Sequence, residues 1–124
     1  MNTREYFRWL QQALAEKTFI LDIDLRLSEI DIDQCYVRGT LTLSNGYQLH
    51  VAEYVITAPV IVRTKYRYHL QTADALLVAR WDNSPHHKEI DTFPNHCHRS
   101  DGSIQPSPPM DILLALAATF DILD

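Results

Sequence analysis

No apolar run in this sequence approaches the roughly 20 residues that cross a bilayer as a helix, so nothing in it predicts a membrane span or a membrane partner. Residues Met1 to Tyr6 lack the apolar stretch of a secretory signal, and a cytoplasmic location is expected. Only two cysteines occur, Cys35 and Cys97, too few for a disulfide framework. Positive charge is also short: 11 Lys and Arg stand against 16 Asp and Glu, for a formal net charge of −5. Holding nucleic acid by bulk electrostatics needs an excess of phosphate-neutralising cations, so such a partner could be met only through a local basic cleft. Acids crowd early, at Asp22, Asp24, Glu29, Asp31 and Asp33, and that face could instead meet a basic partner protein. No repeat or low-complexity tract interrupts the chain.

What is present is the composition of a folded domain. With 124 residues, 46% of them apolar and 22% charged, the chain can bury one core and is too short for two. Residues 1–124 therefore read as a single domain. Residues 3–16 carry Tyr6, Phe7, Leu10, Ala13 and Leu14 at three- and four-residue spacing, behind Asn2 and Thr3 as cap candidates, which predicts a helix. Residues 20–28 switch to period two: Leu21, Ile23, Leu25 and Leu27 alternate with Asp22, Asp24, Arg26 and Ser28, as in a strand with one wet face.

Two further strands, at 35–43 and 47–56, flank Ser44-Asn45-Gly46. Asn-Gly by itself suggests a two-residue turn, but that register would set Leu41 and Leu43 against His50 and Gln48. A three-residue loop with Gly46 left-handed pairs Leu43 with Tyr47 and Leu41 with Leu49, and register follows the buried face. The same row then runs through Val51 to Glu53, where a carboxylate is costly unless it is paired or lies at a cleft rim. Glu53 is thereby a candidate site residue.

Residues 60–71 alternate Arg63, Lys65, Arg67 and His69 with Val62, Thr64, Tyr66, Tyr68 and Leu70. A basic row beside an aromatic row suits a phosphate-bearing or single-stranded partner, and brings in Arg67 and Tyr68. Leu76 to Ala79 are apolar on both faces, predicting a central strand that delivers Arg80 and Asp82. At the other end, Ser107-Pro108-Pro109 reads as a helix start, with Ser107 as cap and Asp111 complementing the dipole. Ile112, Leu113, Leu116, Ala117, Phe120 and Leu123 form its apolar face. The expected fold is α+β: an N-terminal helix, a five-stranded and mainly antiparallel sheet, a long histidine-rich loop, and a C-terminal helix packed on the sheet. An open edge on the central hairpin would permit a homodimer.

The stretch from Arg80 to Ser103 holds His86, His87, His96 and His98, four of the six histidines. Pro85 and Pro94 bar a regular helix or strand around them, so the stretch reads as a loop, where chemistry commonly sits on a rigid scaffold. Three chemistries fit. Histidines can serve as general acid and base, and RNA cleavage beside its own 2′-OH needs one of each plus a cation, which Arg67, Arg80 or Arg99 would supply. Alternatively His86, His87, His96, Cys97 and His98 are zinc-type ligands, although their spacing matches none of the common zinc patterns. In the third reading the histidines tie down a long loop.

The segments Y-R-Y-H-L-Q (66–71), R-W-D-N-S-P-H-H (80–87) and T-F-P-N-H-C-H (92–98) resemble the TumE family of toxin–antitoxin system toxins. The Asn45-Gly46 turn followed by L-x-V-x-E (49–53) fits the same pattern. Trp81 and Cys97 depart from it, standing where a tyrosine and a basic residue are commoner. The resemblance implies a toxin neutralised by a helix-turn-helix antitoxin, and singles out Glu53, Tyr68, Arg80, Asp82, His86, His87, His96 and His98. Together these readings predict a metal-independent, RNA-cleaving toxin without a cofactor. His86 or His87 and His96 or His98 would act as acid and base, Asp82 would orient a ring and Arg80 would meet the phosphate, with Glu53, Arg67, Tyr68 and Arg99 binding RNA. The alternatives are a non-enzymatic toxin that inhibits a cellular protein through its Tyr/Arg surface, and a zinc-dependent hydrolase.

Overall fold

The structure, a computed structural model, describes residues 1–123. Helix α1 (Thr3–Ala15) starts on a reciprocal cap. The Asn2 side chain accepts the Glu5 N–H at 2.8 Å, and Glu5 accepts the Asn2 N–H at 3.0 Å. Then come β1 (Ile20–Asp31), β2 (Gln34–Leu43), β3 (Gln48–Ile56), β4 (Val62–Gln71), β5 (Leu77–Asp82), β6 (His96–Arg99), β7 (Ile104–Pro106) and α2 (Ile112–Leu123). The strands form one seven-stranded sheet in which spatial order equals chain order. Every neighbouring pair is antiparallel.

Seven strands replace the five expected. The two extra ones, β6 and β7, lie in or beside the stretch read wholly as loop. Pro85 and Pro94 do interrupt the segment between β5 and β6, but the chain resumes strand geometry two residues beyond Pro94. There it pairs with the free side of β5. A four-residue strand made of His96, Cys97, His98 and Arg99 carries no apolar alternation to read. Pro106 is tolerated in β7 because that strand is the sheet edge.

The sheet has one covered face and one open face. On the covered side Val37, Leu41, Leu49, Val51, Val55, Tyr68, Leu70, Ala79 and Trp81 pack with Tyr6, Leu10 and Leu14 of α1 and with Ile112, Ala115 and Leu116 of α2 in one core. The hairpin register is as expected: Leu41 pairs with Leu49, and Gly46 has φ 86°. At Gly39 the strands come so close that a Cβ would lie 1.9 Å from the Asp24 carbonyl oxygen, so only glycine fits.

Other expectations change for identifiable reasons. A register shift between Ile20 and Asp22 turns Leu21 out, leaving it 66% exposed. A shift on β4 beside Tyr54 and Val55 moves Arg63 out of the basic row and onto the covered face. Asp111, not Ser107, caps α2: its side chain accepts the Leu114 N–H at 2.8 Å. Ala117 and Phe120 are exposed while Ala115 and Thr119 are buried; the Leu123 side chain, also expected in the core, lies outside the described residues. The β2–β3 hairpin is paired on both sides, so it offers no open edge for a second copy; the sheet edges are β1 and β7. Among the described residues no helix is long and apolar enough to cross a membrane.

Candidate functional site

The antiparallel ladder brings distant residues into rows across the open face. One row runs Arg26, Arg38, Ala52, Arg67, Asp82, His96 from β1 to β6; the next runs Asp24, Thr40, His50, His69, Arg80, His98. Both rows end in the same place. There His96 Nε2 lies 3.0 Å from Asp82 Oδ1, and His98 Nε2 lies 3.4 Å from Asp82 Oδ2. The two Nε2 atoms are 3.2 Å apart. His87 closes the group from above, its ring centroid 5.1 Å from that of His96 and 5.7 Å from that of His98.

His96 and Asp82 are held from behind. His96 Nδ1 is 2.8 Å from the Pro94 carbonyl oxygen, which can only accept, so this nitrogen carries a proton and Nε2 is the working atom. Asp82 Oδ1 accepts the Ser84 N–H at 3.0 Å. His87 Nδ1 lies 3.4 Å from Glu89 Oε1. The His87 backbone has φ 60°, a left-handed conformation that a β-carbon disfavours and that tends to collect at functional sites. Burial pushes the His98 imidazole pKa down from its ordinary value, against the opposing pull of Asp82.

The segment carrying His87 is pinned by side chains the sequence reading passed over. Asn83 accepts the Tyr66 N–H at 2.9 Å and donates to the Thr64 carbonyl at 3.2 Å. Tyr66 donates to Asn95 at 2.7 Å. Thr92 donates to the Asn95 carbonyl at 2.6 Å and accepts the Ser107 N–H at 3.0 Å. These bonds tie the connection between β5 and β6 to β4 and to the chain before α2.

Away from the cluster the open face is basic and aromatic. Tyr36 and Tyr54 stack with centroids 4.4 Å apart and planes 15° from parallel, and the Arg38 guanidinium lies 5.9 Å from the Tyr36 centroid. Lys65 and Arg67 border the same depression of about 290 Å³. Nearer the cluster, Arg80 Nε donates to His69 Nδ1 at 3.1 Å, and burial with the Arg80 charge holds the His69 pKa below its usual value. Tyr36 opposite Tyr54 was already implied by the Leu41–Leu49 register, since the same ladder pairs them.

The remaining candidates lie elsewhere. Glu53 is fully buried on the covered face, where it accepts from Tyr6 and, at 2.6 Å, from Tyr68. Arg63 meets it at 3.3 Å. Burial and the Glu53 charge raise the phenol pKa values of Tyr6 and Tyr68 well above their ordinary value. Arg99 pairs with Ala79 on the covered side and borders a groove with Trp81, Cys97 and Met110. The Cys97 thiol is buried there, which raises its pKa, and does not face the histidines. His86 is exposed and forms no contact with the cluster among those described. Of the predicted residues, Asp82, His87, His96 and His98 come together, with Arg67 and Arg80 beside them in the same two rows.

Neither a curated protein nor a solved structure matched this chain. A protein-family model described as toxin TumE matches residues 10–123, a span that takes in the whole sheet and every member of the cluster. The chain therefore belongs to the toxin TumE family, and is the toxin component of a toxin–antitoxin system with an antitoxin as its partner.

Proposed function

We propose that this toxin cleaves RNA at the Asp82, His87, His96 and His98 cluster, with the substrate strand lying along the open face of the sheet. The observation that carries the reading is the convergence of two cross-strand rows on that cluster, one bringing Arg26, Arg38 and Arg67 and the other Arg80. Exposure separates the roles. His98 and His87 keep 25% and 34% of their side chains accessible, whereas His96 keeps 2%. His98 would take the 2′-OH proton as that oxygen attacks phosphorus, and His87 would protonate the leaving 5′ oxygen as its bond to phosphorus breaks. The products are a 2′,3′-cyclic phosphate and a 5′-OH. His96 and Asp82 position the pair, and Arg80, opposite His98 in the ladder, offsets charge on the phosphorane.

Charge supports the substrate class. The chain is acidic as a whole, yet Arg26, Arg38, Lys65, Arg67 and Arg80 share one face with the Tyr36–Tyr54 stack. Cations that position phosphates and rings that stack bases are what a single strand needs. The test is induced expression of wild type and His98→Ala at matched soluble levels, with growth and total RNA followed together. Arrest with new RNA fragments, both lost in the variant, is the expected result. Arrest that persists in His98→Ala with intact RNA would assign the toxicity to a protein partner of the Tyr/Arg surface.

A further inference from the structure

We infer that His87, His96, His98 and Asp82 form a binding site for one transition-metal dication of the zinc class. The inference rests on ligand geometry and does not depend on RNA being the substrate. One nitrogen from each histidine ring lies within 4.8 Å of the others. The tighter contacts are 3.0 Å from His96 to Asp82, 3.4 Å from His98 to Asp82 and 3.2 Å between His96 and His98. A tetrahedral zinc with bonds of about 2.0–2.1 Å sets its ligand atoms about 3.3 Å apart. These contacts, which run to the two different oxygens of Asp82, lie close to that edge length. His87, whose ring nitrogen lies within 4.8 Å of those of His96 and His98, would move inward to complete the fourth corner.

Hydrogen bonding favours the same arrangement. The Pro94 carbonyl takes the Nδ1 proton of His96, so in the neutral ring Nε2 presents a lone pair to a carboxylate oxygen and to a second imidazole nitrogen. One proton can relieve one of these contacts; a cation at their centre relieves all of them. The supports are also those of a ligand set, because ligating imidazoles usually give their other N–H to a carbonyl or carboxylate. His96 has Pro94 in that role. Three imidazoles and a carboxylate suit zinc, and copper or nickel as competitors, better than magnesium or calcium. The sequence spacing that matches no common zinc pattern is no obstacle, because His96 and His98 project from the same face of β6 while His87 reaches them from the preceding connection.

An ion here takes the lone pairs that proton transfer needs, so zinc loading should silence the cleavage proposed above. The experiment is a calorimetric titration of zinc chloride into the chelator-treated full chain, repeated with cobalt(II) in the visible spectrum. One equivalent should bind, with the strong visible bands of tetrahedral cobalt. His98→Ala and His87→Gln should each weaken binding at least about tenfold, while His86→Ala binds as wild type, with folding of every variant checked by circular dichroism. No binding, binding indifferent to His98→Ala and His87→Gln, or equal loss in His86→Ala would overturn the site. RNA cleavage that requires zinc would keep the site and overturn the metal-free chemistry. A protein that binds zinc as described and cuts no RNA would keep the site and overturn the nuclease.

Discussion

Glu53 and Asp82 each gather a group of polar side chains, on opposite faces of one sheet and about two strands apart in the ladder. Around Glu53 the donors are two phenols and a guanidinium, and α1 closes over them. None of these changes protonation near neutral pH, since burial and the carboxylate raise both phenols further from that range. Around Asp82 the side-chain partners are the imidazoles of His96 and His98, and His87, from the connection between β5 and β6, packs on both; His98 and His87 are partly exposed. One carboxylate is surrounded by groups that cannot exchange protons with a substrate; the other by groups whose ordinary pKa lies close to physiological pH. Partner chemistry and cover separate a stabilising cluster from a reactive one, even though both contain a buried carboxylate.

The largest expected effect tests the stabilising side. Glu53→Ala removes the carboxylate that Arg63, Tyr6 and Tyr68 meet and leaves a guanidinium largely buried. Breaking such a pair costs about 3–5 kcal/mol. Urea denaturation should show that loss, while the folded fraction keeps its cleavage rate. A normal midpoint with lost cleavage would move Glu53 into the chemistry. On the other face, His98→Ala should lower cleavage by about 10²–10⁴-fold, the usual range for a general acid or base. Its ring is a quarter exposed, so the urea midpoint should move by less than about 1 kcal/mol, typical of a substitution outside the core. If both variants lose stability and activity in step, the two clusters do not differ in kind.

How far the sequence foretold this contrast can be traced residue by residue. Glu53 emerged because a turn register set by apolar pairing placed a carboxylate in a core row; its saturation by Tyr6 and Arg63 did not, because the first partner is 47 residues away and the second arrives through a β4 irregularity. Asp82, His87, His96 and His98 emerged as residue types suited to proton transfer. Their grouping into one cluster depended on β6, whose pairing with β5 is decided by a free strand edge and not by any local propensity. His86 shows the limit from the other side: by type it equals His87, yet it stays exposed while His87, on a left-handed backbone, joins the cluster. Arg99 was drawn in by proximity in sequence, but strand alternation sends it to the opposite face from His98.

A smaller effect probes how the open face feeds the cluster. Tyr54 stacks on Tyr36 and keeps 39% of its surface exposed, which leaves a ring available to a base. Tyr54→Ala should weaken single-stranded RNA binding by about 1–3 kcal/mol, the range for one base–aromatic stack. Cleavage at saturating RNA should be unchanged, so KM rises and kcat holds. A loss confined to kcat would place the strand elsewhere and give Tyr54 a role in shaping the site.

The smallest expected change lies in backbone strain. His87 has φ 60°, and a non-glycine residue held in such a conformation costs about 1–3 kcal/mol. His87→Ala and His87→Gly both delete the ring, so both should lose cleavage to the same extent. They differ in the β-carbon. Glycine accepts the left-handed conformation but gives up about 0.5–1 kcal/mol through the entropy of a freer unfolded chain, so it should be more stable than alanine by about 1 kcal/mol, read from paired urea midpoints. The Glu53 cluster has no such residue: Tyr6, Glu53, Arg63 and Tyr68 all have ordinary negative φ. Equal midpoints for the two His87 variants would mean that the reactive cluster stores no strain, and that His87 is aimed by Glu89 and its ring contacts alone.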